Sequence, residues 1–387
     1  MVEQRIENPC VPGSIPGGTT KTDPSVMEGF FILLHFYPIF ALMAAPTFFK
    51  DDKALARELQ RHIENASKTF ILTDSNVAEA VLPRILANLG ASESIEIIEV
   101  EPGEDSKSIE VAAQIWGTML ECNADRKALL INIGGGVITD LGGFVASTYK
   151  RGIDFIHIPT TLMAMTDAAI GGKTGIDLDL FKNVVGTFAE AKAILVQPDF
   201  IETLDENEIL SGFAEMIKHG IIADPILFEA LEAIEGTNKD HISLFIERSA
   251  HVKERIIAQD FKETGLRKTL NFGHTIGHAI ESVSLNSSPI SHGYAVGLGM
   301  QVEISLAFNK GIVNSNDYTR IQKLLSLHFP KKQKFNWEEL LTYLKNDKKN
   351  EMDEIRFALP NALGSASWDI SANDLEIKAA MGELINE

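Results

Sequence analysis

From about Ala54 onward, hydrophobic positions alternate between helical spacing and short unbroken apolar runs. Ala54–Asn65 has the spacing of a helix, Thr69–Thr73 is a short apolar strand, and Asn76–Leu89 is amphipathic again. Ser94–Glu99 predicts a strand, Ser108–Glu121 a helix, Ala128–Ile133 a strand, Leu141–Tyr149 a helix and Phe155–Ile158 a strand. Strands separated by helices of this length predict a parallel sheet with helices on its faces. Beyond Thr203 the strand-like runs give way to long helical patterns: Glu206–His219, Pro225–Ala233, His241–Gln259, Phe272–Ser284 and Ala295–Phe308. The expected organisation is an α/β domain over residues 51–200 followed by an all-α domain over 201–387. No internal repeat or low-complexity linker separates them, so they are expected to pack tightly.

Residues 1–50 do not follow this alternation. Positions 9–25 are rich in Pro, Gly, Ser and Thr, and Gly29 to Phe49 is largely apolar. That run approaches the length of a membrane span, but His35, Pro38 and Pro46 interrupt it and no charged stretch directly precedes it as in a signal peptide. Two readings stand: a membrane anchor, or an N-terminal extension read from a start upstream of a natural one at Met27 or Met43. The second is the expectation, with no membrane contact.

Composition narrows the function classes. The chain has 387 residues, 45% hydrophobic and 23% charged, the balance of a globular protein with room for two domains. A formal charge of -19 repels phosphate backbones and anionic lipid at long range, so nucleic acid is not an expected partner. A small anionic substrate stays open, given a local basic pocket. Cys10 and Cys122 are the only cysteines, which excludes a disulfide framework and points to the reducing cytoplasm.

Chemistry concentrates in a few segments. In LLINIGGGVITDLGGF an apolar strand runs into three glycines, with a helix expected near Asp140, so backbone N–H groups can face a pyrophosphate. Thr139 stands where the dinucleotide fingerprint has its third glycine, and a tight turn without a ligand would satisfy the same segment. Ile170-Gly171-Gly172-Lys173-Thr174 ends like a nucleoside-triphosphate loop, but Asp167 occupies the place of its first glycine. What remains is Lys173 on a glycine loop near an acid, with Lys182 and Asn183 following, groups able to hold phosphate or carboxylate. His274 and His278 are four apart and share one helix face, but Thr275 replaces the Glu of a zincin, so peptidase chemistry is unsupported. If His278 is not a ligand, His292 is the best third candidate after Glu215, which lies in mostly apolar sequence where an unpaired carboxylate would be costly. Glu215, His274 and His292 together would leave an open position on a divalent metal.

The segments GGGVITDLGGFVASTYKRGI, IPTTLMAMTDAAIGGKTGID, FKNVVGTF, LSGFAEMIKHG, GLRKTLNFGHTIGHAIE and HGYAVGLGM, in this order, resemble the 3-dehydroquinate synthases of the shikimate pathway, members of the sugar phosphate cyclases. The resemblance runs from about Phe70 to Leu359 and leaves residues 1–50 outside. It implies a Rossmann-like NAD-binding domain, an α-helical metal-binding domain and a homodimer. It implies NAD and zinc as cofactors, with cobalt as the alternative ion. The implied substrate is 3-deoxy-D-arabino-heptulosonate 7-phosphate, and the implied products are 3-dehydroquinate and phosphate, on the route to aromatic amino acids. Metal ligands fall on Glu215, His274 and His292. NAD contacts fall on Asp74, Asn76, Gly103, Glu104, Lys107, Gly135, Gly136, Val137, Asp140, Thr160, Thr161, Lys173, Lys182 and Thr203. Asp167, Lys173, Asn183, Lys218, Lys253, Arg267, Asn271 and His278 match the substrate pocket, and Arg151 matches a phosphate ligand supplied by the neighbouring subunit. A late lysine falls on Lys348 or Lys349. Ala169, Asp177 and Phe181 depart from the family pattern in a loop beside the pocket.

The resemblance also implies a chemistry. NAD removes and returns a hydride at C5, the metal polarises the C4 and C5 hydroxyls, phosphate leaves, and an enol closes the carbocycle, with no net redox change. Two rival enzymes remain. Other sugar phosphate cyclases take substrates without the carboxylate that Lys253, Arg267 and Asn271 favour, and a metal-dependent polyol dehydrogenase would accumulate NADH. A membrane-tethered binding protein rests on Gly29–Phe49 alone.

Overall fold

The computed structural model describes residues 44–90, 95–178, 181–234, 236–285, 288–346 and 355–386. Strand β1 (Pro46–Phe48) leads to helix α1 (Asp52–Ile63), whose first turn is capped by the Asp51 side chain accepting from the Ala54 N–H at 2.8 Å. Then follow β2 (Thr69–Asp74), α2 (Ser75–Ala80), α3 (Leu82–Leu86), β3 (Ile95–Val100), α4 (Ile109–Glu121), β4 (Leu129–Gly134), α5 (Gly136–Thr148) and β5 (Asp154–Pro159). The hairpin of β6 (Lys173–Leu178) and β7 (Phe181–Phe188) precedes β8 (Ala193–Val196).

Six of these strands form one parallel sheet in the order β1-β8-β5-β4-β2-β3. Every residue of β4, Leu129 to Gly134, is buried, which is what coverage on both faces requires. The chain leaves β2 toward β3 on one side and leaves β4 toward β5 on the other. The carboxyl ends of β2 and β4 therefore flank a crevice at a topological switch point, where open α/β sheets take their ligands. Asp74 ends β2 and Gly134 ends β4.

The second half is built on α6 (Glu206–Ala223), α7 (Pro225–Glu232), α8 (Lys239–Ser243), α9 (Ile246–Gln259), α10 (His274–Ser284), α11 (His292–Asn309), α12 (Ser315–His328) and α13 (Trp337–Asn346). An antiparallel pair, β9 (Ile355–Ala362) and β10 (Ser365–Ala372), and helix α14 (Asp374–Met381) complete it.

The structure revises several expectations in detail. Pro46–Phe48 pairs in parallel with Ile194–Val196, so the last residues of the expected 1–50 extension belong to the sheet. Helix α5 starts at Gly136, ahead of the expected start near Asp140. The helix expected over Asn76–Leu89 is two helices broken at Val81, with Pro83 in the first turn of the second, where its missing N–H costs nothing. The hairpin β9/β10 adds strand to the half expected to be wholly helical. Among the described residues no helix is long and apolar enough to cross a membrane, while Gly29 to Met43 lies outside them.

Candidate active site

Three helices deliver the expected metal ligands: Glu215 lies inside α6, His274 is the first residue of α10, and His292 is the first residue of α11. Glycine lets these helices touch. A Cβ added at Gly293 would lie 2.2 Å from the Ser211 Cα on α6, and one at Gly299 would lie 2.0 Å from the Gly273 carbonyl at the start of α10. Side chains at these contacts would drive α11 away from both neighbours, and the three candidate ligands apart with them.

His274 Nε2 lies 3.5 Å from Glu215 Oε1, and the His274 and His292 rings are 5.6 Å apart. The ligating atoms of His274, His278 and His292 lie within 4.8 Å of one another, as do those of Asp167, Glu215 and His219. Nδ1 of His274 faces the Phe272 carbonyl at 3.2 Å, and Nδ1 of His292 faces a Glu281 oxygen at 3.0 Å. Both partners can only accept, so each Nδ1 carries the proton and each Nε2 is left as the ligating atom. Burial, with Lys218 nearby, holds His274 below its ordinary range, which keeps the imidazole neutral. Glu215 is a carboxylate despite burial that opposes charge, because Lys218 and His274 hold it well below the usual range. Lys218 Nζ forms an ion pair with Glu215 Oε2, and that oxygen has no hydrogen-bond partner among the described residues. Burial opposes charge on His292, but Glu281 and Glu215 hold it above its ordinary range, so a metal there would displace its Nε2 proton. With that proton gone, two imidazoles and a buried carboxylate are a donor set suited to zinc or a similar divalent ion.

Beside this trio is a basic cluster around Asp167, which sits in a π-helical turn, Ala164–Ala168, after β5. Such turns re-aim side chains at functional sites. Lys253 Nζ donates to the Asp167 backbone carbonyl at 2.6 Å and lies 3.0 Å from its Oδ1, which Lys218 approaches to 3.8 Å. Burial opposes ionisation of Asp167, but these two lysines overcome it and hold the carboxyl well below its ordinary range. Lys253 is lowered too, by burial with Lys218 and Arg267 nearby, which for an ammonium disfavours the charged form. Arg267 is buried, and its Nη1 donates to the Phe261 carbonyl at 2.6 Å. Lys173 and Asn271 converge on one carboxylate, Glu263, which pairs with the Lys173 ammonium and accepts from Asn271 Nδ2 at 2.7 Å. His278 is exposed at the rim, 5.3 Å from the His274 ring.

The crevice end of the sheet carries the expected dinucleotide groups. Gly135 caps α5 without a side-chain hydrogen bond, and a Cβ there would lie 2.9 Å from Thr161 Cγ2, so glycine lets Thr161 pack against the first turn of the helix, whose N–H groups suit an anion. Thr160 Oγ1 is buried with no partner among the described residues, an orphan that a ligand at this turn would satisfy. Lys107 Nζ donates to Asp140 Oδ2 at 2.7 Å and to Asn183 Oδ1 at 2.5 Å. Burial pulls Lys107 down, and Asp140 and Glu104 more than offset it. Asn183 has φ 54° and is held by Asp177, which accepts its N–H at 2.7 Å, so a family departure here organises the pocket wall. Asp74 caps α2 by accepting from Val77, Asn76 lies in that helix, and Gly103 opens the turn bearing Glu104. Val137 follows Gly136 in the first turn of α5, and Thr203 closes the turn before α6.

Two expected residues stand apart. Arg151 is exposed in left-handed backbone, φ 68°, and among the described residues no hydrogen bond or ion pair ties it to the cluster. Lys348 and Lys349 lie outside the described residues. Three carboxylate or imidazole residues join the site unforeseen: His219, Glu263 and Glu281. His219 was legible in principle, since it stands four residues after Glu215 on the same helix face. Burial of Glu281 opposes charge, but its contacts with His292 and Lys182 lower it to about 2.

Known proteins match this architecture. A family model described as 3-dehydroquinate synthase N-terminal matches residues 97–211, and one described as 3-dehydroquinate synthase C-terminal matches residues 212–350. A 3-dehydroquinate synthase of Parabacteroides distasonis is 41% identical over 323 residues, 81% of this chain and 90% of that protein. Another, from a Thermoanaerobacter species, is 38% identical over 341 residues, 86% of this chain and 95% of that protein. Among solved structures, a 2-epi-5-epi-valiolone synthase of Streptomyces hygroscopicus subsp. jinggangensis with NAD+ and Zn2+ bound superposes with a TM-score of 0.79 at 26% identity. It covers 88% of this chain and 96% of its own.

Proposed function

This chain belongs to the 3-dehydroquinate synthase family and carries that activity, and we propose how its residues divide the work. The substrate is 3-deoxy-D-arabino-heptulosonate 7-phosphate, and the products are 3-dehydroquinate and inorganic phosphate. Glu215, His274 and His292 hold a divalent metal, zinc in this reading, through Oε and two Nε2 atoms. The α5 turn at Gly135 and Gly136, Thr160, Thr161, Asp140, Lys107 and Lys182 hold NAD. When bound, the dinucleotide supplies a hydride acceptor that is restored within the cycle, and the metal supplies polarisation of the substrate hydroxyls.

The remaining work belongs to side chains. Lys173, Asn271, Asn183 and His278 grip the departing phosphate. The first two already hold an anion, the Glu263 carboxylate, which supports their role. Arg267 and Lys253 face the substrate carboxylate, a demand that phosphates lacking this group would leave unmet. Asp167 fixes the two lysines beside it, and Lys253, which burial makes readier to give up its proton, is the proton carrier in this reading. Arg151, exposed and apart, fits a residue lent to a neighbouring copy, so the working form in this reading is a homodimer. A cytoplasmic setting agrees with a free, partly buried Cys122.

The observation that carries the reading is the convergence of Glu215, His274 and His292 from three helices next to the Lys218/Lys253/Asp167 cluster. The test is phosphate release from the heptulosonate phosphate with catalytic NAD and zinc, followed beside NADH absorbance. Stoichiometric phosphate without NADH accumulation, abolished by a chelator, is expected. Steady NADH growth would instead identify a dehydrogenase, and no phosphate from folded, metal-loaded protein would move the substrate to another sugar phosphate.

A further inference from the structure

Glu281 touches both halves of the site. It lies on α10 two turns beyond His274 and is largely buried. Its Oε2 accepts from His292 Nδ1 at 3.0 Å, and its Oε1 accepts from Lys182 Nζ at 2.9 Å. Lys182 belongs to β7 of the first half of the chain, and its ammonium also stands 4.0 Å from Glu104 Oε1. One carboxylate thus spends one oxygen on a candidate metal ligand and the other on a candidate dinucleotide ligand.

Resting on the metal and NAD reading above, we propose that Glu281 is a positioning residue shared by the two cofactor sites. One oxygen fixes the His292 tautomer that presents Nε2, and the other aims the Lys182 ammonium at the dinucleotide cradle. An imidazole Nδ1–H and an ammonium are both donors, and a carboxylate has an acceptor for each. An amide has one acceptor and one NH2. In Glu281→Gln the amide oxygen goes to the fully charged Lys182, and the NH2 faces His292. Nδ1 of His292 must then accept, its proton moves to Nε2, and the ligating lone pair is lost.

The experiment compares wild type, Glu281→Gln and Lys182→Met, with folding checked by circular dichroism. Zinc affinity is measured by competition with a chromogenic chelator, the visible spectrum is recorded with Co2+, and NAD affinity is measured calorimetrically. Glu281→Gln is expected to lose about tenfold or more in zinc affinity and to change the cobalt spectrum, the scale of other outer partners of metal ligands. Lys182→Met leaves the Glu281 to His292 contact in place, so it is expected to keep zinc affinity within about threefold while weakening NAD. If Glu281→Gln does not fold, Glu281→Asp replaces it. One methylene shorter, it cannot reach both partners, and it too is expected to lose zinc or NAD affinity. A folded Gln or Asp variant with wild-type zinc affinity, cobalt spectrum and NAD affinity would overturn the proposal alone. Wild-type protein that takes up no stoichiometric metal would overturn the parent reading and this one with it.

Discussion

Replacing Glu303 by Gln should loosen the helix that begins with His274. Glu303 is fully buried on α11, and its carboxylate accepts from the Gly273 N–H at 2.6 Å and the Ile276 N–H at 3.1 Å. Helix α10 has no cap of its own, since its N-cap residue is Gly273 with φ 81°. The N–H groups of its N-cap and of Ile276 in its first turn, and the positive end of its dipole, meet an anion from the neighbouring helix. A hydrogen bond to a charged group contributes about 1.5–3 kcal/mol. Gln keeps one acceptor and turns an NH2 toward the second N–H, so one such bond is lost and the other becomes neutral. The expected destabilisation is about 2–3 kcal/mol, a fall of a few degrees in melting temperature for a protein of this size. Because His274 is the first residue of the helix, zinc affinity should fall as well. Glu303→Ala, which removes both acceptors, should cost about twice as much. Differential scanning calorimetry with chelator competition tests the pair. A Gln variant with wild-type melting temperature and zinc affinity would refute the capping argument.

Two further perturbations follow from buried charge. In Lys218→Met the Glu215 and Asp167 carboxylates lose their ammonium, which costs about 3–5 kcal/mol, and turnover should fall by orders of magnitude. A bound cation at Glu215 would replace part of the missing charge, so zinc should raise the melting temperature of Lys218→Met more than that of wild type, and equal increments would count against Glu215 as a ligand. His157, on β5, is buried beside Asn132 of β4, its Nδ1 3.2 Å from Asn132 Nδ2, and burial lowers its pKa to about 3. Unfolded, it protonates near 6.5, so between the two values the unfolded chain binds more protons. Its contribution to stability is complete above pH 6.5 and is lost as pH falls toward 3, up to about 5 kcal/mol. His157→Gln, which still offers Asn132 an acceptor, should flatten the acid limb of a stability profile over that window, and an unchanged limb would assign it to other groups.

The parallel sheet and the long helices were legible because their apolar residues run without interruption: β4 is buried at every position, and α6 at most. The hairpins were not. Lys173–Leu178 and Phe181–Phe188 expose Leu178, Val185 and Phe188 and mix polar with apolar residues, so no run announces a strand. The same physics divides the site. Glu215 interrupts the apolar stretch FAEMI and Glu303 lies between Val302 and Ile304, and both are almost wholly buried. A lone acid in such a setting must meet positive charge or backbone donors, and that much is readable from one chain. Which of the two it meets is not, because it depends on the neighbouring helix. Glu215 faces Lys218 and His274, whereas Glu303 faces the N–H groups of α10. Glu281 was harder still, since an acid on an amphipathic helix reads as part of its solvent face. Only the packing of α10 against α11 and β7 places His292 on one of its oxygens and Lys182 on the other. The ligands of this site were thus within reach of residue types and spacing, while the groups that aim them depend on which helices and strands come to lie side by side.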